Sequence, residues 1–274
     1  MEGYDFRRVS VTALIPAFAR GEYTTIPWAR EMLAVLRERG ATLPDGPWRE
    51  YGAFASIFDA RFRAVSRLVE EKAATQVLEL AAGLSPRGIE LASRGIVYVE
   101  ADLADSIALK REVVTAMLGS MPKTLHLSAA SAIDGEQLRA CCVPFTAGRP
   151  VAVTTEGLLR YLTFEEKAQA AANVLEILRR YGGWWITPDI HLRTMADRQP
   201  KTQRDAELKT LGRNLDANYF EDLDHARRFF EGCGFAVESR PLLEGVADQI
   251  TAQPTEEQAA MLHDARLFVL TPAS

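Results

Sequence analysis

The strongest constraint on the fold is carried by residues 76–102, QVLELAAGLSPRGIELASRGIVYVEAD. Val77, Leu78 and Leu80 form a short apolar run, suited to a strand buried on both faces of a parallel sheet, and the run stops at Gly83. Ala81, Ala82 and Gly83 are small enough for a ligand to come against the backbone, while Ser85 and Pro86 supply an N-cap and a first helical residue. A helix N-terminus is therefore expected beside the turn. A second apolar run over 96–99 ends at Glu100 and Asp102. This puts a carboxylate roughly 20 residues past the turn, where it can accept hydrogen bonds from ribose hydroxyls. The pieces make half of a Rossmann-like nucleoside pocket, although an ordinary strand-turn-helix without a ligand has the same spacing.

The glycines of a dinucleotide fingerprint are missing. Where backbone amides would approach a pyrophosphate the chain carries Ala81, Gly83 and Pro86. A nucleoside cofactor without phosphates, such as S-adenosylmethionine (SAM), makes no such demand.

A chain of 274 residues can bury a full core as one large domain. Its formal net charge of -5 argues against a general binder of nucleic acid or anionic membrane and favours small molecules or individual proteins as partners. The opening residues MEGYDFRRVS lack an apolar signal core, and no apolar stretch approaches the roughly 20 residues of a bilayer span. A cytoplasmic protein is the expectation. Cys141 and Cys142 are adjacent, Cys233 is distant, and no histidine stands at metal-ligand spacing, so reduced packing thiols and no metal are expected.

Apolar periodicity predicts strands over 76–80, 96–100, 124–128, 151–155, 184–188, 235–240 and 267–270. Helical patterns separate them at 86–93, 104–118, 135–142, 164–181, 223–231 and 255–264. Such alternation predicts an α/β, Rossmann-like fold: a seven-stranded, mostly parallel sheet with helices on both faces. The whole chain, 1–274, reads as one domain with a helical N-terminal extension over 1–72, in which 28–39 and 54–72 are amphipathic. A charged insertion over 189–222, carrying Arg193, Arg198, Lys201, Arg204 and Lys209, follows a strand's carboxyl end. It is either a substrate cap or a solvated surface insertion.

Four segments together resemble the leucine carboxyl methyltransferase family of SAM-dependent methyltransferases, which includes O-methyltransferases of polyketide pathways. FDARFRAVSRLV resembles the family's helix before the sheet, LELAAGLSPR its glycine-containing turn, VYVEADLADSIALK its ribose-binding strand end, and TEGLLRYLT its E-x-x-L-x-Y-L segment. The later FFEGCGFAVESRPL and RLFVL are similar to the last two strands of a class I methyltransferase. The resemblance implies SAM as cofactor, with Arg61, Glu79, Ala81, Gly83, Asp102, Ser128, Ala129 and Glu156 as cofactor-binding positions. By its chemistry alone, a helix arginine such as Arg61 is more often a surface or i,i+4 partner, and Glu156 is also read as an N-cap or surface acid. Two departures stand out: a lysine that some members carry near the N-terminus is replaced by Pro16, and the acid usually offered to adenine after the third strand is replaced by L-S-A-A-S-A. Ser128, Ser131 or backbone carbonyls would serve there, with Asp134 as a substitute.

The resemblance implies a SAM-dependent O-methyltransferase, and the expected acceptor is a small carboxylic acid, polyketide-like or aromatic. A carboxylate, with a pKa of about 4, is ionised at neutral pH and needs no general base, whereas a phenol near 10 benefits from one. No His-Asp or His-Glu pair stands at a motif position. Tyr161 and His191 are candidates for orienting the acceptor, though a tyrosine at a helix start also simply packs. A phenol or enol methyltransferase, a non-catalytic SAM-binding protein and a nicotinamide oxidoreductase remain as alternatives.

Overall fold

The computed structural model describes residues 11–43, 52, 54–194 and 215–273. Seven strands form one sheet: β1 (Gln76–Leu80), β2 (Val97–Asp102), β3 (Leu125–Ala129), β4 (Val151–Thr155), β5 (Gly183–Thr187), β6 (Phe235–Pro241) and β7 (Arg266–Pro272). Their order is β3-β2-β1-β4-β5-β7-β6. The first five run parallel, and β7 lies antiparallel between β5 and β6. A mostly parallel, Rossmann-like sheet is thus observed. Of the boundaries that moved, those at the cavity are the ends of β2 and β3: β2 runs on to Asp102 and β3 to Ala129, because the pairing of Ala101 with Ser128 and of Asp102 with Ala129 continues the ladder beyond the apolar runs.

Period-two alternation makes both faces of the sheet apolar, and each face has its own core. Val77 of β1 and Ala152 of β4 face one core, packed with α1 (Val11–Tyr23), α2 (Ala29–Glu38), α3 (Ala55–Glu71), α4 (Arg87–Ser93) and α5 (Ala104–Leu118) through Phe18, Met32, Leu68, Ile89 and Val113. Leu78 and Val153 face the other, with α6 (Gly135–Cys141), α7 (Phe164–Tyr181) and α8 (Leu223–Gly232) contributing Leu138, Val174 and Phe230. The helix α9 (Glu256–Asp264) lies ahead of β7 and buries Leu262 in the first core.

Local chemistry accounts for the ends. Thr163 and Glu166 close a capping box on α7, and Thr255 and Gln258 close one on α9. Asp134 caps α6, accepting 3.0 Å hydrogen bonds from the amides of Glu136 and Gln137. Gly183 begins β5 at φ 113, where any Cβ would sit inside the backbone of Val151 on β4.

Most of the expected cap over 189–222 lies outside the described residues, Arg198, Lys201, Arg204 and Lys209 among them. Its described ends come together: Leu192 pairs with Phe220, and the Arg193 amide donates to the Phe220 carbonyl at 2.8 Å. Among the described residues no helix is long and apolar enough to cross a membrane.

Candidate cofactor and acceptor site

A cavity of about 810 Å³ opens at the carboxyl ends of the parallel strands, where α/β sheets place their ligands. Its floor is the turn after β1, its walls are the segments following β2, β3, β4 and β5, and α1, α3 and α9 close over it.

The turn bends sharply. Ala81 and Gly83 have φ of 53 and 51, a left-handed conformation that is uncommon for alanine. The Gly83 amide donates to Oδ2 of Asp102 at 2.6 Å, and the Leu103 amide to Oδ1 at 2.6 Å. Burial pushes the Asp102 carboxyl up, against the opposing pull of these two amides. A carboxylate has about four lone-pair sites, so Asp102 keeps acceptor capacity at the cavity wall.

Glu79 and Glu156 also reach the wall, but their oxygens are engaged by arginines. Glu156 bridges Arg20 through Oε1 and Nη2 of Arg87 through Oε2, the latter at 2.7 Å. Arg87 in turn pairs with Glu79, whose Oε2 accepts from the Tyr98 hydroxyl at 2.8 Å. The Phe62 ring lies 4.6 Å from the Arg87 guanidinium, and Nε of Arg87 donates to Ser66 Oγ at 3.1 Å. Burial works against the Glu156 charge, yet Arg20 and Arg87 hold its carboxyl below the usual range. The carboxylates expected to touch a cofactor directly are thus members of a buried chain of charges. Arg20 and Arg87 were missed as site residues. The available signal was Glu79 itself, an acid inside an apolar strand that demands a buried cation.

Arg61 also lines the cavity. Its Nη2 lies 3.2 Å from the Pro188 carbonyl, 3.1 Å from Nε2 of His191 and 3.6 Å from Oδ1 of Asp189. Asp189, also unforeseen, accepts from the amides of Gly157, Leu158 and Leu159 at 2.7, 2.7 and 3.2 Å, and so fastens the loop after β4 to the loop after β5. Burial, followed by the charges of Arg61 and Arg160, drives the His191 pKa well below its ordinary value. The ring is therefore neutral. Tyr161 reaches the same wall, with the Arg160 guanidinium 5.6 Å from its ring centre, and Arg160 donates to the Tyr219 hydroxyl at 3.4 Å.

At the β3 corner the structure does not bring Ser128 and Ala129 to the cavity. The wall there is formed by Ala130, Ser131, Ala132 and Ile133. Extension of β3 to Ala129 moves the open strand end past the expected position. Asp134 is committed to the α6 cap. Among the described residues no cluster of His, Cys, Asp and Glu could hold a metal ion.

A leucine carboxyl methyltransferase family model matches residues 18–175, more than half of the chain. The chain belongs to the leucine carboxyl methyltransferase family. It is accordingly a SAM-dependent methyltransferase. The methyltransferase is similar in structure to a DUF574 family protein from Streptomyces avermitilis MA-4680, with a TM-score of 0.58 at 17% identity over 97% of this chain and 98% of that one. It is also similar to magnesium protoporphyrin IX methyltransferase from Synechocystis PCC 6803, solved with bound SAH (TM-score 0.52, 10% identity, 89% and 94% of the chains). A third likeness is to PigF, solved with SAH (TM-score 0.53, 15% identity, 90% and 69%). At these identities the likenesses establish the class I methyltransferase fold. No curated protein matches the methyltransferase at the sequence level.

Proposed function

We propose that the methyltransferase esterifies a small carboxylic acid, aromatic or polyketide-like. Its cavity residues fit SAM. Asp102 suits the ribose hydroxyls, the left-handed turn at Ala81 and Gly83 leaves backbone open to the ligand, and Arg61 suits the methionyl carboxylate. Leu103 and Ile133, 64% and 38% exposed at the cavity edge, offer apolar surface to the adenine faces. Glu79 and Glu156 act through Arg87 and Arg20, setting the shape and charge of the wall. When bound, SAM supplies a methyl group already made electrophilic by its sulfonium. The protein's task is then to align the acceptor oxygen and exclude water.

The observation that carries the carboxylate reading is the 3.1 Å contact between Arg61 Nη2 and His191 Nε2. A guanidinium can only donate, so Nε2 of His191 accepts from Arg61, and the single proton of the neutral ring sits on Nδ1. Neither nitrogen then has a lone pair to offer a phenol. A carboxylate acceptor requires none. Arg160 on the same wall also favours an anion over a neutral phenol.

The test is transfer from radiolabelled SAM to a panel of aromatic and polyketide-like acids. The label is expected in a methyl ester that mild alkali releases as volatile methanol, with His191→Ala costing less than about tenfold in rate. An alkali-stable ether together with a loss of about 10² or more in His191→Ala would show phenol methylation instead. Turnover itself distinguishes an enzyme from a non-catalytic SAM-binding protein.

A further inference from the structure

We infer that the buried Lys110–Glu100 pair is a positioning device that presets the cofactor turn before any ligand arrives. Lys110 on α5 and Glu100 on β2 are both 0% exposed, with Nζ 2.8 Å from Oε2. The same ammonium donates to the Ser85 carbonyl and stands 3.5 Å from that of Gly83. From the other side the turn is gripped by Asp102, which receives the Gly83 amide at 2.6 Å. Glu100 and Asp102 are two residues apart on β2, so they project from the same face of the strand and brace the turn together. Gly88 makes room for this, because a Cβ there would overlap Oε1 of Glu100.

The fold gains little from such a pair, since replacing a buried ion pair by apolar side chains of similar volume is often neutral or stabilising. What an apolar pair cannot do is hold carbonyl oxygens. The turn needs holding: Ala81 is kept at positive φ, and a conformation of that kind persists only where the surroundings over-determine it. Lys110 reaches two carbonyls of one loop while its charge stands 2.8 Å from the Glu100 carboxylate. The inference rests on the reading of this cavity as the SAM site.

The test is the double variant Lys110→Met/Glu100→Met, which removes both charges and leaves neither buried alone. Its unfolding midpoint should stay within about 3 °C of the parent, while its Kd for S-adenosylhomocysteine rises at least tenfold, measured by calorimetry. Hydrogen exchange should speed up at the amides of residues 82–85 and not in β1. A stable double variant that binds within twofold of the parent overturns the proposal. Should the variant not fold, the ligand-free parent decides: amides 82–85 exchanging as slowly as β1 support a preset turn, and amides that become protected only with S-adenosylhomocysteine overturn it. A parent that fails to bind S-adenosylhomocysteine at all is instead the failure of the cofactor assignment.

Discussion

Two carboxylates at the cavity have opposite jobs, and substitution separates them. Asp102 retains lone pairs for a ligand, so Asp102→Ala should weaken SAM binding by about 1 to 3 kcal/mol, the usual loss of a charge-assisted hydrogen bond, as read by calorimetry on folded protein. Unchanged affinity would remove Asp102 from the cofactor site. Glu156 faces inward to two arginines, so Glu156→Gln should cost about 3 to 5 kcal/mol of stability by leaving Arg20 uncompensated and Arg87 with Glu79 alone. Because its folded pKa is depressed, its contribution is fully present above its unfolded value of 4.5 and is lost as pH falls through the lower folded value. Urea midpoints measured downward from about pH 6 should fall more steeply for the parent than for Glu156→Gln. Parallel curves would mean that the arginines do not hold Glu156 ionised. The residue types of the site were legible in the motifs, since Arg61, Ala81, Gly83, Asp102, Glu156, Tyr161 and His191 all reach the cavity. Their partners were not: Arg87 meets Glu156 69 positions along the chain, and Arg61 meets His191 130 positions along. Pairings over such distances depend on register and helix placement, which no local pattern encodes.

At the level of elements, strands and helices followed their periodicity closely because the central strands β1 and β4 are buried along their whole length and carry short apolar runs. Departures occur at strand ends, where pairing with a neighbour carries the ladder onward, and this moved the β3 corner from Ser128 to Ala130 and beyond. Gly183 shows how tightly one element can fit another. Gly183→Ala should destabilise by more than about 3 kcal/mol, combining strain at positive φ with collision against the Val151 backbone. Urea denaturation checks this, and a loss below about 1 kcal/mol would show that β5 can shift away from β4 at little cost.

For the whole molecule, a cofactor that binds only the folded state must stabilise it. S-adenosylhomocysteine at about 100 times its Kd should add about 2.7 kcal/mol, a rise of several degrees in the unfolding midpoint, and EDTA should not reduce it. NADH should give no such rise, because the turn offers Ala81, Gly83 and Pro86 where a pyrophosphate needs glycine. A shift with NADH and none with S-adenosylhomocysteine would contradict the cofactor assignment. By itself the sequence determined the α/β class, the position of the nucleoside turn and the small, acidic and basic residues offered to a cofactor. These are local properties, written in apolar period and in spacing over a few tens of residues. Only the tertiary structure decided that β7 inserts antiparallel between β5 and β6, that Glu79 and Glu156 are neutralised by Arg87 and Arg20, and that His191 turns its lone pair to Arg61. The two side-chain pairings follow from burial, because a charge or lone pair removed from water must find its partner among whatever groups the packed elements bring within reach.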